Sequence, residues 1–367
     1  MFRGEKSQRS VRKKKTKKSN DEVSQRRKKS FTKKKGGPSQ MKKKKDKGEA
    51  SQLSVDTVIE GGSSLEKRKT KKEAWSGDDV AKRLVGAGLF NADTIASDFK
   101  ALKEPKPSGG ECDKFQAAKS RQPDCPIAND KLIKLSHAPD NFINAARVSI
   151  PEFKRTALIA QLPDVSSPAN IEDFWRLIFQ EEILAMVIAL APQEGSMTLQ
   201  QFLPAAAGSF ANHGKMFLNN KKVDSSVGVT MYNIEILPDG CSNSIHCHVY
   251  HIPNWKQKKG CDPVGDLVAT VEKIIKTNEN TAFVSLNGVG RAGTVMTLFG
   301  VMLQIQKESK DVKVKETLEK LRAERCGIVE NLDQYQTIHK SLALWFKNKS
   351  SDDDVLKKAN DYAPNVQ

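Results

Sequence analysis

Cysteine is sparse in this chain: six residues in 367 (positions 112, 125, 241, 247, 261 and 326), with no Cys-x-x-Cys pair. Such spacing supplies no disulfide framework, and reduced thiols in a cytoplasmic or nuclear protein are expected. Long apolar runs are missing as well. The longest, residues 183–191, is about half of what a membrane span needs and reads as a buried strand. No apolar stretch of signal-peptide length follows Met1, position 2 is Phe, and the last three residues are Asn-Val-Gln. Neither a secretory leader nor a lipid anchor is therefore expected. No internal repeat is visible. The glycine-rich run near position 290 lacks Gly-Lys-Ser/Thr, which excludes a nucleotide P-loop there.

Acidic residues are scarce in one stretch only. Residues 1–72 hold 26 Lys and Arg against 8 Asp and Glu, whereas the remaining 295 residues hold 35 against 36. The formal charge of +17 thus lies in the N-terminal tail. A basic tail on a neutral body differs from a uniformly basic nucleic-acid binder. Lysine runs at 13–15, 33–35 and 42–45 alternate with Ser, Thr, Gln and Gly, and so few apolar residues cannot offset the entropy of ordering. The tail is predicted to be disordered. Three roles fit it: a nuclear-import signal, contact with a polyanion (nucleic acid or an acidic membrane), or solubilisation.

From Asp78 the pattern changes to that of a folded domain, predicted over 78–348, followed by a polar and loose C-terminal tail, 349–367. Helical spacing begins at Val80, Leu84 and Val85, a second short helix is predicted over 94–102, and 103–113 reads as a Pro/Gly linker. A helix is expected from 170 or 171 to 180, with Glu172 and Asp173 in its first turn and Phe174 and Trp175 packed inward. Residues 227–237 alternate as a half-buried strand, with 244–252 as the partner. Asp262 is expected to cap a helix over 264–276, with Pro263 at its first position. Further helices are predicted over 312–325 and 331–346.

The informative run is Val284-Ser285-Leu286-Asn287-Gly288-Val289-Gly290-Arg291-Ala292-Gly293-Thr294. It follows a short apolar strand, 281–284, and precedes an amphipathic helix predicted over 295–306. A glycine-rich turn of this kind aims backbone N–H groups and a helix N-terminus at one point, an arrangement that binds anions. Arg291 adds a planar two-pronged donor suited to phosphate oxygens. Ser285, Gly288, Val289, Gly290 and Arg291 are the candidate phosphate-binding residues.

This run resembles the phosphate-binding loop of the tyrosine-specific protein phosphatases, His-Cys-x-x-Gly-x-Gly-Arg-Ser/Thr-Gly. Other segments agree in order. Phe142-Ile143-Asn144-Ala145 resembles Tyr-Ile-Asn-Ala, Ile159-Ala160-Gln161-Leu162-Pro163 resembles Ala-x-Gln-Gly-Pro, and Ile171-Glu172-Asp173-Phe174-Trp175-Arg176 matches the Asp-Phe-Trp helix. Asn212-His213-Gly214-Lys215 with Asn219-Asn220-Lys221-Lys222, and residues 237–244, look like variants from the large nematode expansion of the family. The resemblance implies an α/β fold: a twisted mixed β-sheet flanked by helices, with the phosphate loop between a strand and a helix. It implies no cofactor and no metal.

The same resemblance implies four chemical roles, each altered here. The nucleophilic cysteine, whose thiolate the loop stabilises, is Ser285, and a hydroxyl stays neutral at pH 7. The general acid of a Trp-Pro-Asp loop falls at Gln257, after Trp255 and Lys256; an amide donates no proton to a leaving group, a loss of roughly 10²–10⁴-fold. The water-positioning Gln-Thr-x-x-Gln becomes Glu330-Asn331-Leu332-Asp333-Gln334, which keeps Gln334 and sets a carboxylate near the phosphate. The recognition loop Lys-Asn-Arg-Tyr becomes Lys119-Ser120-Arg121-Gln122, with Asp124 following, and lacks the aromatic wall for phosphotyrosine. The substrate-loop positions are thus Gln122, Asp124, Trp255 and Gln334.

The expectation is a catalytically inactive member that acts by binding phosphotyrosine proteins, or kinases and phosphatases whose substrates it shields. Two alternatives stand beside it: a phosphatase with weak residual activity, and a polyanion-binding protein working through residues 1–72. Arg291 itself has two readings, a retained phosphate ligand or a residue held by an internal carboxylate. His246, Cys247 and His248 would point to opposite faces of a strand, which argues against a metal site. Cys112, Cys125 and Cys326 read as ordinary reduced thiols.

Overall fold

Runs of small and branched apolar residues at 157–160, 185–189 and 281–284 leave no polar face, so the strands they form are covered on both sides. The computed structural model describes residues 75–366 apart from 106–108, 137, 139, 193, 195–196 and 227–228. Residues 1–72, with every reading placed on the basic tail, lie outside the described residues. Among the described residues one mixed sheet contains β1 (Leu132–Lys134), β2 (Phe142–Arg147), β3 (Ala157–Gln161), β4 (Ala185–Ala189), β5 (Phe210–His213), β6 (Met216–Ser226), β7 (Val229–Pro238), β8 (Ile245–Ile252) and β9 (Thr281–Ser285). Their order is β1-β2-β3-β9-β4-β8-β7-β6-β5. The four central strands β3, β9, β4 and β8 run parallel, and the flanking pairs are antiparallel.

Eight helices flank the sheet among the described residues: α1 (Asp78–Gly86), α2 (Ala92–Ala101), α3 (Pro168–Gln180), α4 (Gly265–Thr277), α5 (Gly290–Gln306), α6 (Val314–Glu324), α7 (Leu332–Lys349) and α8 (Asp353–Tyr362). Strand alternation divides the apolar side chains between two cores. Ile159, Val187 and Phe283 join residues of α4, α5, α6 and α7. Leu158, Met186, Ile188 and Val284 join Phe174 and Trp175 of α3, which point inward as expected. The α/β architecture implied by the resemblance is therefore the one observed. No helix among the described residues is long and apolar enough to cross a membrane.

Several local expectations are corrected. Helix α5 is not amphipathic: it packs against β9, α4, α6 and α7 and is buried from Gly290 to Ile305. It also starts at Gly290, directly after the glycine-rich turn, rather than at Val295. Helix α3 begins at Pro168, because proline fits the first turn, and this moves Glu172 and Asp173 beyond that turn. Asp262 does not cap α4; the helix opens at Gly265, one residue after the expected start, and its N-cap position is Val264. Strand β4 covers only Ala185–Ala189, since β9 offers only Thr281–Ser285 to pair with it. Residues 353–362 form α8 instead of a loose tail. Asp352 caps the helix through Val355 N at 3.0 Å, and Ala359 packs on Ala343 of α7.

Candidate anion site

Strand β9 delivers Ser285 to the centre of the sheet, in register with Gln161 of β3 and Ala189 of β4. Ser285 is only 2% exposed, and its carbonyl accepts from Leu162 N at 3.0 Å and from Gly288 N at 3.2 Å. The second bond closes a tight turn. Gly288 holds φ +64°, and a Cβ there would overlap the backbone of Gln161 and Ala160, so the turn lies directly on β3. After the turn the chain enters α5, whose first bonds include Gly293 N to Val289 O at 2.6 Å and Thr294 Oγ1 to Gly290 O at 2.9 Å. Ser285, Gly288, Val289, Gly290 and Arg291 are all buried, and they form one continuous turn at the positive end of a 17-residue helix.

Arg291 is 3% exposed and is held from inside. Its Nη1 donates to Glu194 Oε2 at 2.7 Å and to Trp255 O at 2.6 Å, while Nη2 donates to Glu194 Oε1. Glu194 also accepts from Ala191 N at 3.1 Å. The internal carboxylate weighed for Arg291 therefore exists, and it is Glu194. Sequence reasoning missed this residue. Its only signal is position, shortly after the buried strand β4.

The loop that faces the turn is built around Trp255. The indole is fully buried, its Nε1 donates to Lys259 O at 2.7 Å, and its carbonyl receives Arg291. Lys256, Gln257, Lys258 and Lys259 are exposed. Gln257 borders a cavity of about 360 Å³ whose lining also includes Glu194, Pro253 and Asn254. Asp262 lies beyond this loop, in the turn before α4, and makes no cap.

Glu330 closes the other side. Its carboxylate lies against the first residue of α5, since a Cβ on Gly290 would overlap Glu330 Oε2. A carboxylate at a helix N-terminus is favourable for that helix. Gln334, fully buried, fixes it reciprocally: Gln334 Nε2 donates to Glu330 Oε2 at 3.2 Å and Glu330 N donates to Gln334 Oε1 at 2.9 Å. Asn331 caps α7 by accepting from Gln334 N at 3.0 Å. Glu330 and Gln334 are thus brought to the turn together.

Arg121 ties the recognition segment to the same turn. It donates to Leu286 O and Pro163 O, both at 3.0 Å, and to Leu162 O, and its backbone N reaches Gln161 Oε1 at 2.7 Å. Burial lowers the pKa of its guanidinium, with Asp164 opposing the shift. Gln122 is half-buried and donates from its backbone to Ser120 Oγ at 3.0 Å; Asp124 is exposed. Cys112, Cys125 and Cys326 are free thiols, as read from the sequence; what the sequence did not show is that Cys125 and Cys326 pack together against Val289 of the turn. On β8 the exposed His246 and buried Cys247 take opposite faces, and His251 Nε2 lies 2.9 Å from Leu190 O. Among the described residues no group of three or more His, Cys, Asp or Glu is arranged to hold a metal ion.

The geometry brings together a braced arginine, a buried hydroxyl at the end of β9 and, against the first residue of α5, the carboxylate of Glu330. Comparison with known proteins agrees on what it descends from. The family model for protein-tyrosine phosphatase matches residues 116–344. A Caenorhabditis elegans protein named as a candidate tyrosine-protein phosphatase is 51% identical over 295 residues, covering 80% of this chain and 73% of its own length. A second Caenorhabditis elegans protein named in the same way is 26% identical over 280 residues, 72% of this chain and 61% of that protein. Human tyrosine-protein phosphatase non-receptor type 2 is 23% identical over 234 residues, 62% of this chain and 55% of that protein.

Proposed function

We propose that this chain, which belongs to the protein-tyrosine phosphatase family, is a catalytically inactive member that binds phosphotyrosine proteins, or their kinases and phosphatases, in the cytoplasm or nucleus. One observation carries the reading: the residue at the end of β9, at the base of the cradle, is Ser285 rather than a thiol. The helix dipole and loop amides that would stabilise a thiolate leave a hydroxyl neutral, because its pKa starts several units higher. Gln257 on the opposite loop offers an amide where a leaving tyrosinate needs a proton, and Glu330 cannot orient water as the neutral amide would. Retained binding is supported by the glycine-rich turn leading into the positive end of α5, with Arg291 in that helix's first turn. A neutral serine also removes the repulsion between a thiolate and a bound phosphate, so binding survives the loss of chemistry.

The test separates binding from turnover. Purified full chain is expected to release no phosphate from phosphotyrosine peptides above background, while tungstate binds in calorimetry and Arg291→Lys weakens that binding about tenfold. Joint replacement Ser285→Cys, Gln257→Asp and Glu330→Gln is expected to create measurable turnover. Wild-type turnover that Arg291→Lys abolishes would overturn the inactive reading. Absence of tungstate binding by wild type would overturn the binding role.

A further inference from the structure

The wall of the cradle contains a second pair of reactive groups that the reading above does not use. Cys125 follows the recognition segment, and Cys326 lies between α6 and α7. The two side chains form a small cluster with Val289 of the glycine-rich turn, at 9% and 2% exposure. Several contacts fix their approach. A Cβ added at Gly327, next to Cys326, would lie 2.7 Å from Cys125 Sγ and 3.4 Å from Val289 Cβ. Arg325, on the other side of Cys326, donates from Nη1 to Cys125 O at 2.6 Å, and Cys326 Sγ lies 3.5 Å from Pro126 O.

Arg325 supplies the electrostatic element. It is 1% exposed, and its two Nη groups go to neutral acceptors, Cys125 O and, at 3.3 Å, Asn144 Oδ1. Its Nε is buried without a partner among the described residues. A buried guanidinium in this condition favours an anion beside it. The adjacent Cys326 pulls the Cys125 thiol below its usual range; burial opposes this, Arg325 assists, and the carboxylates of Glu104 and Glu330 oppose. The neighbouring Cys125 pushes Cys326 up, and burial adds to the shift. Two thiols thus pack against each other beside a buried cation, the arrangement that dithiol oxidation requires.

We propose that Cys125 and Cys326 are a hydroperoxide-oxidisable dithiol that closes to a disulfide along the wall of the anion cradle. The Cys125 thiolate attacks a peroxide oxygen, the O–O bond breaks, and hydroxide leaves to become water, giving a sulfenic acid. Cys326 then attacks that sulfur, the S–O bond breaks, and the departing hydroxide takes the Cys326 proton as a second water. Two thiols lose two electrons, and one peroxide becomes two waters when the peroxide is hydrogen peroxide. The bond would join segments distant in sequence, and Val289 would feel it directly. This inference goes beyond the binding role and does not depend on it.

The experiment uses the full chain with Cys241→Ser, which removes the exposed thiol. It is treated with hydrogen peroxide at stoichiometric dose, alkylated, digested and mapped by mass. The expected product is a peptide pair joined through Cys125 and Cys326, lighter by two hydrogens and separated by dithiothreitol. With Cys326→Ser, a dimedone adduct is expected on Cys125; with Cys125→Ser, Cys326 is expected to stay reduced. Recovery of both residues as alkylated thiols after the peroxide is consumed would overturn the proposal. So would a disulfide from either one to another cysteine, or dimedone capture on Cys326 in place of Cys125.

Discussion

The turn between β9 and α5 and the two loops that face it have been treated differently by the sequence. In the turn, Ser285, Gly288, Val289, Gly290 and Arg291 are buried; Gly288 lies on the backbone of β3 and Arg291 is ion-paired with Glu194. In the facing loops, Gln257 and three lysines are exposed and Glu330 is half-buried. Residues in the turn hold the molecule together whether or not phosphate ever arrives. In the loops Gln257 and the lysines are exposed, while Glu330 is held by Gln334. Keeping the glycines and the arginine is therefore weak evidence of function, and the residues at 257 and 330 carry more of the proposed inactivity.

The largest expected effect comes from breaking the turn. Gly288→Val would force a β-branched residue into φ +64° and drive its Cβ into the backbone of β3. About 5 kcal/mol or more of stability should be lost, seen in urea unfolding as a collapsed midpoint or insoluble protein. Next comes Arg291→Ala, which leaves Glu194, 9% exposed at its side chain, without its bidentate partner, and Trp255 O without its donor. The cost should be about 3 kcal/mol, and adding Glu194→Gln should recover part of it. An additive double mutant would mean that the pair braces nothing.

That asymmetry also explains what could be read in advance. The turn was legible because a phosphate loop is a local motif, with glycines, arginine and helix contiguous in sequence. The parallel strands were legible in outline because covering both faces leaves a continuous apolar run. Glu194 was not legible. It is a single carboxylate in an irregular segment, and its meaning comes only from Arg291, distant in sequence and adjacent in space. Cys125 and Cys326 stayed hidden for the same reason. Helix α5 was misread as amphipathic because its burial depends on three other helices, α4, α6 and α7, and tertiary packing of that kind leaves no periodic trace. Helix α8 was missed because its polar composition conceals a narrow alanine and valine stripe.

A smaller effect tests whether the support behind the turn is as dry as it looks. His339 on α7 is buried, its Nδ1 lies 2.8 Å from Leu89 O, and its Nε2 has no partner among the described residues. Burial pushes its pKa down to about 4, against the opposing bond to Leu89. The unfolded chain, with the ordinary value near 6.5, therefore takes up the proton first as pH falls. Its stabilising contribution is complete above about pH 6.5 and is lost progressively toward pH 4, roughly 2 kcal/mol between pH 7 and 5. His339→Gln can keep a donor to Leu89 O but has no such titration. Its stability should fall less steeply over that range than the wild type's, and parallel curves would show that His339 is hydrated.

The smallest stability effect should come from the loops themselves, and here the two regions separate most sharply. Gln257→Asp changes an exposed side chain, and Glu330→Gln replaces a half-buried carboxylate with an amide. Each should shift the unfolding free energy by no more than about 0.5 kcal/mol. Their effects on ligands should differ. Glu330 lies at the N-terminus of α5, where an incoming dianion would sit, so removing its charge should tighten tungstate binding about tenfold. Gln257→Asp should leave that affinity nearly unchanged, because its exposed position leaves a new charge well screened. If Glu330→Gln instead destabilises the fold as much as Arg291→Ala does, the carboxylate is part of the frame. Its capping of α5 would then be the reason it stands there, and the division between a fixed turn and free loops would fail at that residue.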